Sequence, residues 1–153
     1  MEKYKSEINK LVQNDYSILN LEESDRIKEI NICNTKKSLL NGYYWQQRNI
    51  SFKNKQPLVK IIDSIKTIYN GIVYMSLDYS DICGLVKLDN INCFNAFFEY
   101  YDEHAGLISL CDKSLENSLV IDFYDEDTLL FYDILLYGTK WISIGHKQKN
   151  GCK

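Results

Sequence analysis

Three times after Pro57 the chain repeats one punctuation: apolar residues at helical period, then a glycine, then a strand-like run. Glycine without a Cβ adopts positive φ cheaply and so favours helix C-termini, which makes this order a constraint on topology. In the first unit Pro57 suits an opening helical turn, Leu58, Ile61, Ile62, Ile65, Ile68 and Tyr69 share a face, Gly71 reads as the cap, and 72–77 reads as strand. In the second, Asp89 or Asn90 reads as N-cap and Ile91, Phe94, Phe97, Phe98 and Tyr101 as one helical face, an aromatic stripe whose spacing predicts core packing. Gly106 then closes the helix, and 107–110 reads as strand. In the third, Asp125, Glu126, Asp127 and Thr128 read as an acidic helix start, 129–137 as helix, Gly138 as cap and 141–144 as strand.

Two further strand candidates, 85–88 and 119–124, lie between the units, so the order expected over 57–145 is α-β-β-α-β-β-α-β. Short connections between strands imply antiparallel pairs. The expected class is α+β: a mainly antiparallel sheet with helices packed on one face and an N-terminal helical segment. A length of 153 residues fits a single domain over 1–153. The side chains of the three units do not align with one another, so they read as repeated punctuation and not as a solenoid.

Residues 1–42 read as mainly helical. Tyr4, Ile8, Leu11 and Val12 follow helical spacing, a second piece opens with capping residues at Ser24 and Asp25, and 38–42 closes another. Tyr43-Tyr44-Trp45 and Ile50-Ser51-Phe52 read as strand positions flanking a polar turn. Residues 146–153 are expected to form a flexible tail. The charged start Met1-Glu2-Lys3-Tyr4-Lys5 is no signal-peptide h-region, and Asp133 interrupts the most apolar run, 129–136. A cytoplasmic chain without a membrane partner is the expectation.

Charge is distributed unevenly. Residues 1–71 carry 12 basic and 8 acidic side chains, whereas 72–138 carry only Lys87 and Lys113 against 13 acids, so a net charge of −3 hides a strongly negative segment. Polar turns and helix starts account for some of these acids but not for the missing lysines. The steering set expected to contact a partner is Asp102, Glu103, Asp112, Glu116, Asp122, Asp125, Glu126 and Asp127, several of them sharing one edge or end of the sheet. Such a field accelerates capture of a basic partner by roughly 10–10³-fold at low salt. Tyrosine, at 12 residues, supplies interface-prone side chains, although codons of AT-rich DNA also favour it together with lysine, asparagine and isoleucine.

Recognisable catalytic chemistry is missing from the sequence. There is no phosphate-binding glycine loop, no nucleophile elbow and no zinc-protease motif. His104 reads as a surface residue at a helix C-terminus, and His146 sits in the basic tail. The five cysteines, at 33, 83, 93, 111 and 152, lack metal-site or C-x-x-C spacing and read as buried or incidental thiols. Asp122, Asp125, Glu126 and Asp127 do not follow a calcium-loop pattern. No catalytic residue, metal or cofactor is therefore assigned. Lysines and aromatics in 36–66 could contact single-stranded nucleic acid, but the acidic segment would repel phosphate, so direct nucleic-acid binding is not expected.

In size, composition and charge the chain resembles the immunity proteins of bacterial polymorphic-toxin and contact-dependent growth-inhibition systems. The likeness rests on no diagnostic motif, so no family residue is carried over. It implies tight binding to a cognate toxin domain with a basic substrate face, often a nuclease, through the acidic surface. The alternatives are a DNA-mimic inhibitor or adaptor from a phage or mobile element and, third, a small enzyme with an unrecognised site.

Overall fold

The computed structural model describes residues 1–101 and 106–151. Helix α1 (Glu2–Leu11) buries Tyr4, Ile8 and Leu11, the face expected from their spacing. A short strand, β1 (Tyr16–Ile18), leads to α2 (Leu21–Leu40), one helix where two pieces were expected. Its N-cap is Asn20, whose Oδ1 accepts a hydrogen bond from Glu23 N–H. Ser24 is no cap; it is buried, and its Oγ accepts from Leu85 N–H. The two aromatic runs that follow are joined in one strand, β2 (Tyr44–Ser51). The polar residues between them form an exposed edge with a bulge between Gln47 and Ile50, where Asn49 takes φ +57°, and not a turn.

Helix α3 (Gln56–Ile68) has Pro57 in its first turn and buries Leu58, Ile61, Ile62 and Ile65, as read. Gly71 is not its cap. The helix ends on extended Tyr69, and Gly71 lies close beneath the Tyr69 ring, where a Cβ would stand 3.0 Å from the hydroxyl and press the ring aside by a few tenths of an ångström. Strand β3 (Val73–Ser76), the short helix α4 (Ser80–Cys83) and strand β4 (Val86–Leu88) follow.

The second expected helix does not form. Asn90 does cap, but only a 3-10 turn at Ile91–Cys93. The next residues strap across the core, with Asn95 N–H donating to Leu11 O. Phe94 and Phe98 enter the core as expected, whereas Phe97 remains 62% exposed. Gly106 does take positive φ, before β5 (Leu107–Asp112).

In the third unit helix and strand are exchanged. Strands β6 (Ser118–Glu126) and β7 (Leu129–Tyr137) form a hairpin in which Asp127 and Thr128 are the whole loop, at φ +52° and +69°. Two consecutive positive φ values mark the hairpin turn that matches strand twist, and aspartate tolerates this conformation through its short polar side chain. Tyr132, Ile134 and Leu136 are buried at period two. After Gly138 the expected strand is helix α5 (Thr139–Gly151), which buries Trp141 and Ile144 and continues into the expected tail. A Cβ on Gly145 would collide with the Trp45 ring, so only glycine lets α5 approach β2 so closely.

The seven strands of the described residues form one sheet in the order β1-β4-β3-β5-β6-β7-β2, with every neighbouring pair antiparallel. The α+β class therefore stands. Helices occupy both faces, however. Helices α1, α3 and α5 enclose the main core with Val73, Met75, Ile108, Leu110, Leu119, Ile121, Ile134 and Leu136. Helix α2 lies over the opposite face, where Ile27 packs with Leu85, Cys111 and Leu115. Each fully buried aliphatic side chain contributes roughly 1.5–3 kcal/mol, so the larger cluster dominates stability. Of the described cysteines, all free, Cys93 and Cys111 are buried, Cys83 is half-buried and Cys33 is exposed.

One cation is enclosed at the α3 N-terminus. Lys55 is 8% exposed, with Nζ donating to Phe52 O at 2.7 Å and standing 3.3 Å from the centre of the Phe52 ring. Burial lowers its pKa from 10.5 to about 8. Between these values the unfolded chain holds more protons, so this group's contribution to stability grows as pH rises from about 8 to 10.5 and is lost as pH falls through 8. Buried Tyr4 and Tyr132, raised to about 12, act in the opposite direction above pH 10. Urea unfolding of the wild type and Lys55→Met between pH 7.5 and 9.5 should therefore show the difference moving in favour of the wild type with rising pH. A pH-independent difference would contradict the assignment.

Candidate functional site

The hairpin of β6 and β7 gathers four of the expected steering residues. Asp125 and Glu126 end the first strand, Asp127 begins the turn, and all three are exposed. Asp122, half-buried, lies further down the strand with its side chain on the face away from the main core, because Ile121 and Phe123 on either side point inward.

Opposite Asp122 in the ladder stands Asp133, a residue absent from the expected set. It is 7% exposed and well supplied with donors: its Oδ1 accepts from Asn49 N–H and from the Tyr124 hydroxyl, each at 2.8 Å. The β2 bulge turns the Asn49 amide toward this carboxylate. Arg48 Nε lies 3.7 Å from the other oxygen, too far for a good hydrogen bond, and its side chain is 67% exposed. Burial raises the pKa of Asp122, the Asp133 charge raises it further, and Arg48 opposes both. Tyr124 is held at about 12, first by burial and then by donating to Asp133. Three carboxylates thus stand at the hairpin tip and two more, Asp122 and Asp133, face each other midway along the ladder, while β2 brings Arg48 and, just past its end, Lys53.

Asp112 and Glu116 do not join them. They lie at the β5–β6 turn, at the far end of a nine-residue strand, about 30 Å away at the rise of an extended chain. Asp112 is also withdrawn from solvent, at 4% exposure. Its carboxylate accepts from Ser114 Oγ at 2.7 Å, Asn117 N–H at 3.3 Å and Asn117 Nδ2 at 2.9 Å. Asn117 in turn accepts from Lys140 N–H and Trp141 N–H, which caps α5. Held by Ser114 and Asn117, Asp112 is a structural acid that offers a partner little surface, unlike the exposed steering residue expected. Glu116 remains exposed. Asp102 and Glu103, with His104, lie outside the described residues.

Further along the sheet, Asp81 pairs with Lys28 of α2. Among the described residues no group of three or more His, Cys, Asp or Glu is placed to hold a metal ion, and no helix is long and apolar enough to cross a membrane. The residues missed from sequence, Asn49, Tyr124 and Asp133, become visible once 129–137 is read as a strand after a two-residue turn, since that register sets Asp133 against Asp122. An aspartate within the run Leu129-Leu130-Phe131-Tyr132-Asp133-Ile134 was the available signal.

No family model, curated protein or solved structure matches this chain.

The two acid groups separate by stability. Asp112→Ala strips the partners from Asn117 and loosens the α5 cap, and should cost about 2–3 kcal/mol in urea unfolding, whereas Glu116→Ala should stay within about 0.5 kcal/mol. Equal effects would refute the structural role of Asp112.

Proposed function

We propose that this chain is an immunity protein, a protein-binding inhibitor that neutralises a cognate bacterial toxin domain, and that the toxin is a basic protein, a nuclease being the class that fits best. The supporting observation is the projecting tip of the β6–β7 hairpin. Three consecutive carboxylates, Asp125, Glu126 and Asp127, are exposed at the end of two nine-residue strands paired along their whole length. Such a tip holds charge at fixed spacing, so little ordering entropy is lost on docking. A nuclease must present cations to phosphate, and a preformed row of carboxylates competes for those cations. Exposed Leu129 and Leu130 beside the acids supply apolar area that a purely electrostatic contact would lack.

The inhibitor acts where the toxin would do damage, in the cytoplasm of the cell that makes both. A DNA-mimic inhibitor directed at a host nuclease would use the same acids, with a wider range of partners.

The test is to express the reading frame immediately upstream of this gene in bacteria, with and without this chain. Growth arrest relieved only by co-expression supports the immunity reading, whereas a harmless neighbour that does not co-purify overturns it. With the toxin in hand, changing Asp125, Glu126 and Asp127 to lysine should slow association by about tenfold or more at low salt and flatten its salt dependence. Unchanged association kinetics would remove the hairpin from the interface.

A further inference from the structure

Helix α2 covers only part of its face of the sheet. It is tied down toward the β5–β6 turn, where Asn31 Nδ2 donates to Leu115 O and Ser118 Oγ and Asn34 Nδ2 donates to Leu115 O. Toward the hairpin, Leu107 is 45% exposed, and Val120, Phe131 and Leu135 keep partial exposure and belong to neither hydrophobic cluster of the described residues.

The register across β6 and β7 arranges this open face in rows. Val120 stands against Leu135, Asp122 against Asp133, and Tyr124 against Phe131. An acid pair thus lies between an apolar pair and an aromatic pair. Like charges directly opposite on a sheet are destabilising, and burial adds to that cost, as the raised pKa of Asp122 reflects. Arg48, the cation the strands bring to this pair, touches it only loosely.

We infer that this open face docks a segment of a basic protein partner, with an arginine seated between Asp122 and Asp133 and against the Tyr124–Phe131 rings. Charge complementarity selects the partner's sign, and the neighbouring rings select the side chain. The Tyr124 and Phe131 rings lie 6.0 Å apart at an interplanar angle of 30° and form an aromatic ledge beside the carboxylates. A guanidinium is planar, forks onto two carboxylates and stacks on aromatic faces, none of which an ammonium does equally well. Arg48 is the internal competitor for this seat. The inference rests on the reading of the hairpin end as the surface for a basic partner and adds the face, the side chain and the anchor.

The probe is a fluorescein-labelled peptide of alternating arginine and valine, compared with its lysine analogue by anisotropy at low salt. The wild type should prefer the arginine peptide by about tenfold. Asp122→Asn should abolish that preference, and Arg48→Ala, at an exposed position, should tighten arginine-peptide binding several-fold by vacating the seat. Neutralising Asp125, Glu126 and Asp127 together should weaken both peptides while keeping the preference. Circular dichroism confirms that each variant is folded. Binding that falls with the hairpin variant but is unmoved by Asp122→Asn and Arg48→Ala overturns the seat and leaves the acidic-tip reading standing. Absence of any arginine preference in the wild type overturns the inference outright, whereas the growth experiment decides the immunity reading independently.

Discussion

The pairing of β6 with β7 is the interaction on which the rest of the molecule depends. Nine residues on each strand are in register, and the ladder runs from the α5 junction to the hairpin tip. Its inward side chains, Leu119, Ile121, Phe123, Tyr132, Ile134 and Leu136, form the floor on which the main core is laid. Its outward side chains carry Asp122, Tyr124, Phe131 and Asp133. One register decides both sets, because a slip by a single residue would exchange core for surface along both strands. The turn that fixes it places Thr128, a β-branched residue, at φ +69°, an unfavourable conformation costing about 1–2 kcal/mol that the paired strands must outweigh.

Around that ladder the two faces are finished differently. On the core face, α3 and α5 close over the sheet, and the contact is tight enough to require glycine at 145. On the other, α2 is held largely by polar links: Ser24 to Leu85, Asn31 and Asn34 to Leu115, Lys28 to Asp81. Hydrogen bonds of this kind contribute roughly 1 kcal/mol each and fix position more than they bury area. The helix is thereby anchored at one side of the face and leaves the hairpin side open.

Much of this was legible in the sequence where pattern and chemistry agreed. The spacing of Tyr4, Ile8 and Leu11 and of Leu58, Ile61, Ile62 and Ile65 fits only a helix, and both helices form. The α+β class and the antiparallel sheet followed from strand order. The third unit failed because its signals are degenerate. A run such as Leu129-Leu130-Phe131-Tyr132 is compatible with either period, and Asp125-Glu126-Asp127-Thr128 suits a helix N-terminus as well as the flank and loop of a hairpin. Trp141 and Ile144 are buried at helical spacing, yet within a four-residue window they read equally as strand. The site suffered in proportion: reading 129–137 as helix hid Asp133, and nothing local to Asp112 announced that Ser114 and Asn117 would enclose it.

The bulge in β2 connects these features. A regular edge strand offers its free N–H and C=O groups to any other strand, and β2 lies at the sheet's edge, paired only with β7. Interrupting it at Arg48 and Asn49 blunts that edge. The same interruption turns the Asn49 amide onto Asp133, which gives a nearly buried carboxylate a backbone donor opposite a second acid. It also leaves Arg48 beside that carboxylate without a close bond to it. A straight strand would leave Asp133 without its backbone donor, and a better-seated arginine would neutralise the pair. The irregularity therefore gives Asp133 a backbone donor while leaving two facing carboxylates with only a distant arginine as counter-charge, the state in which a cation arriving from outside gains most by binding.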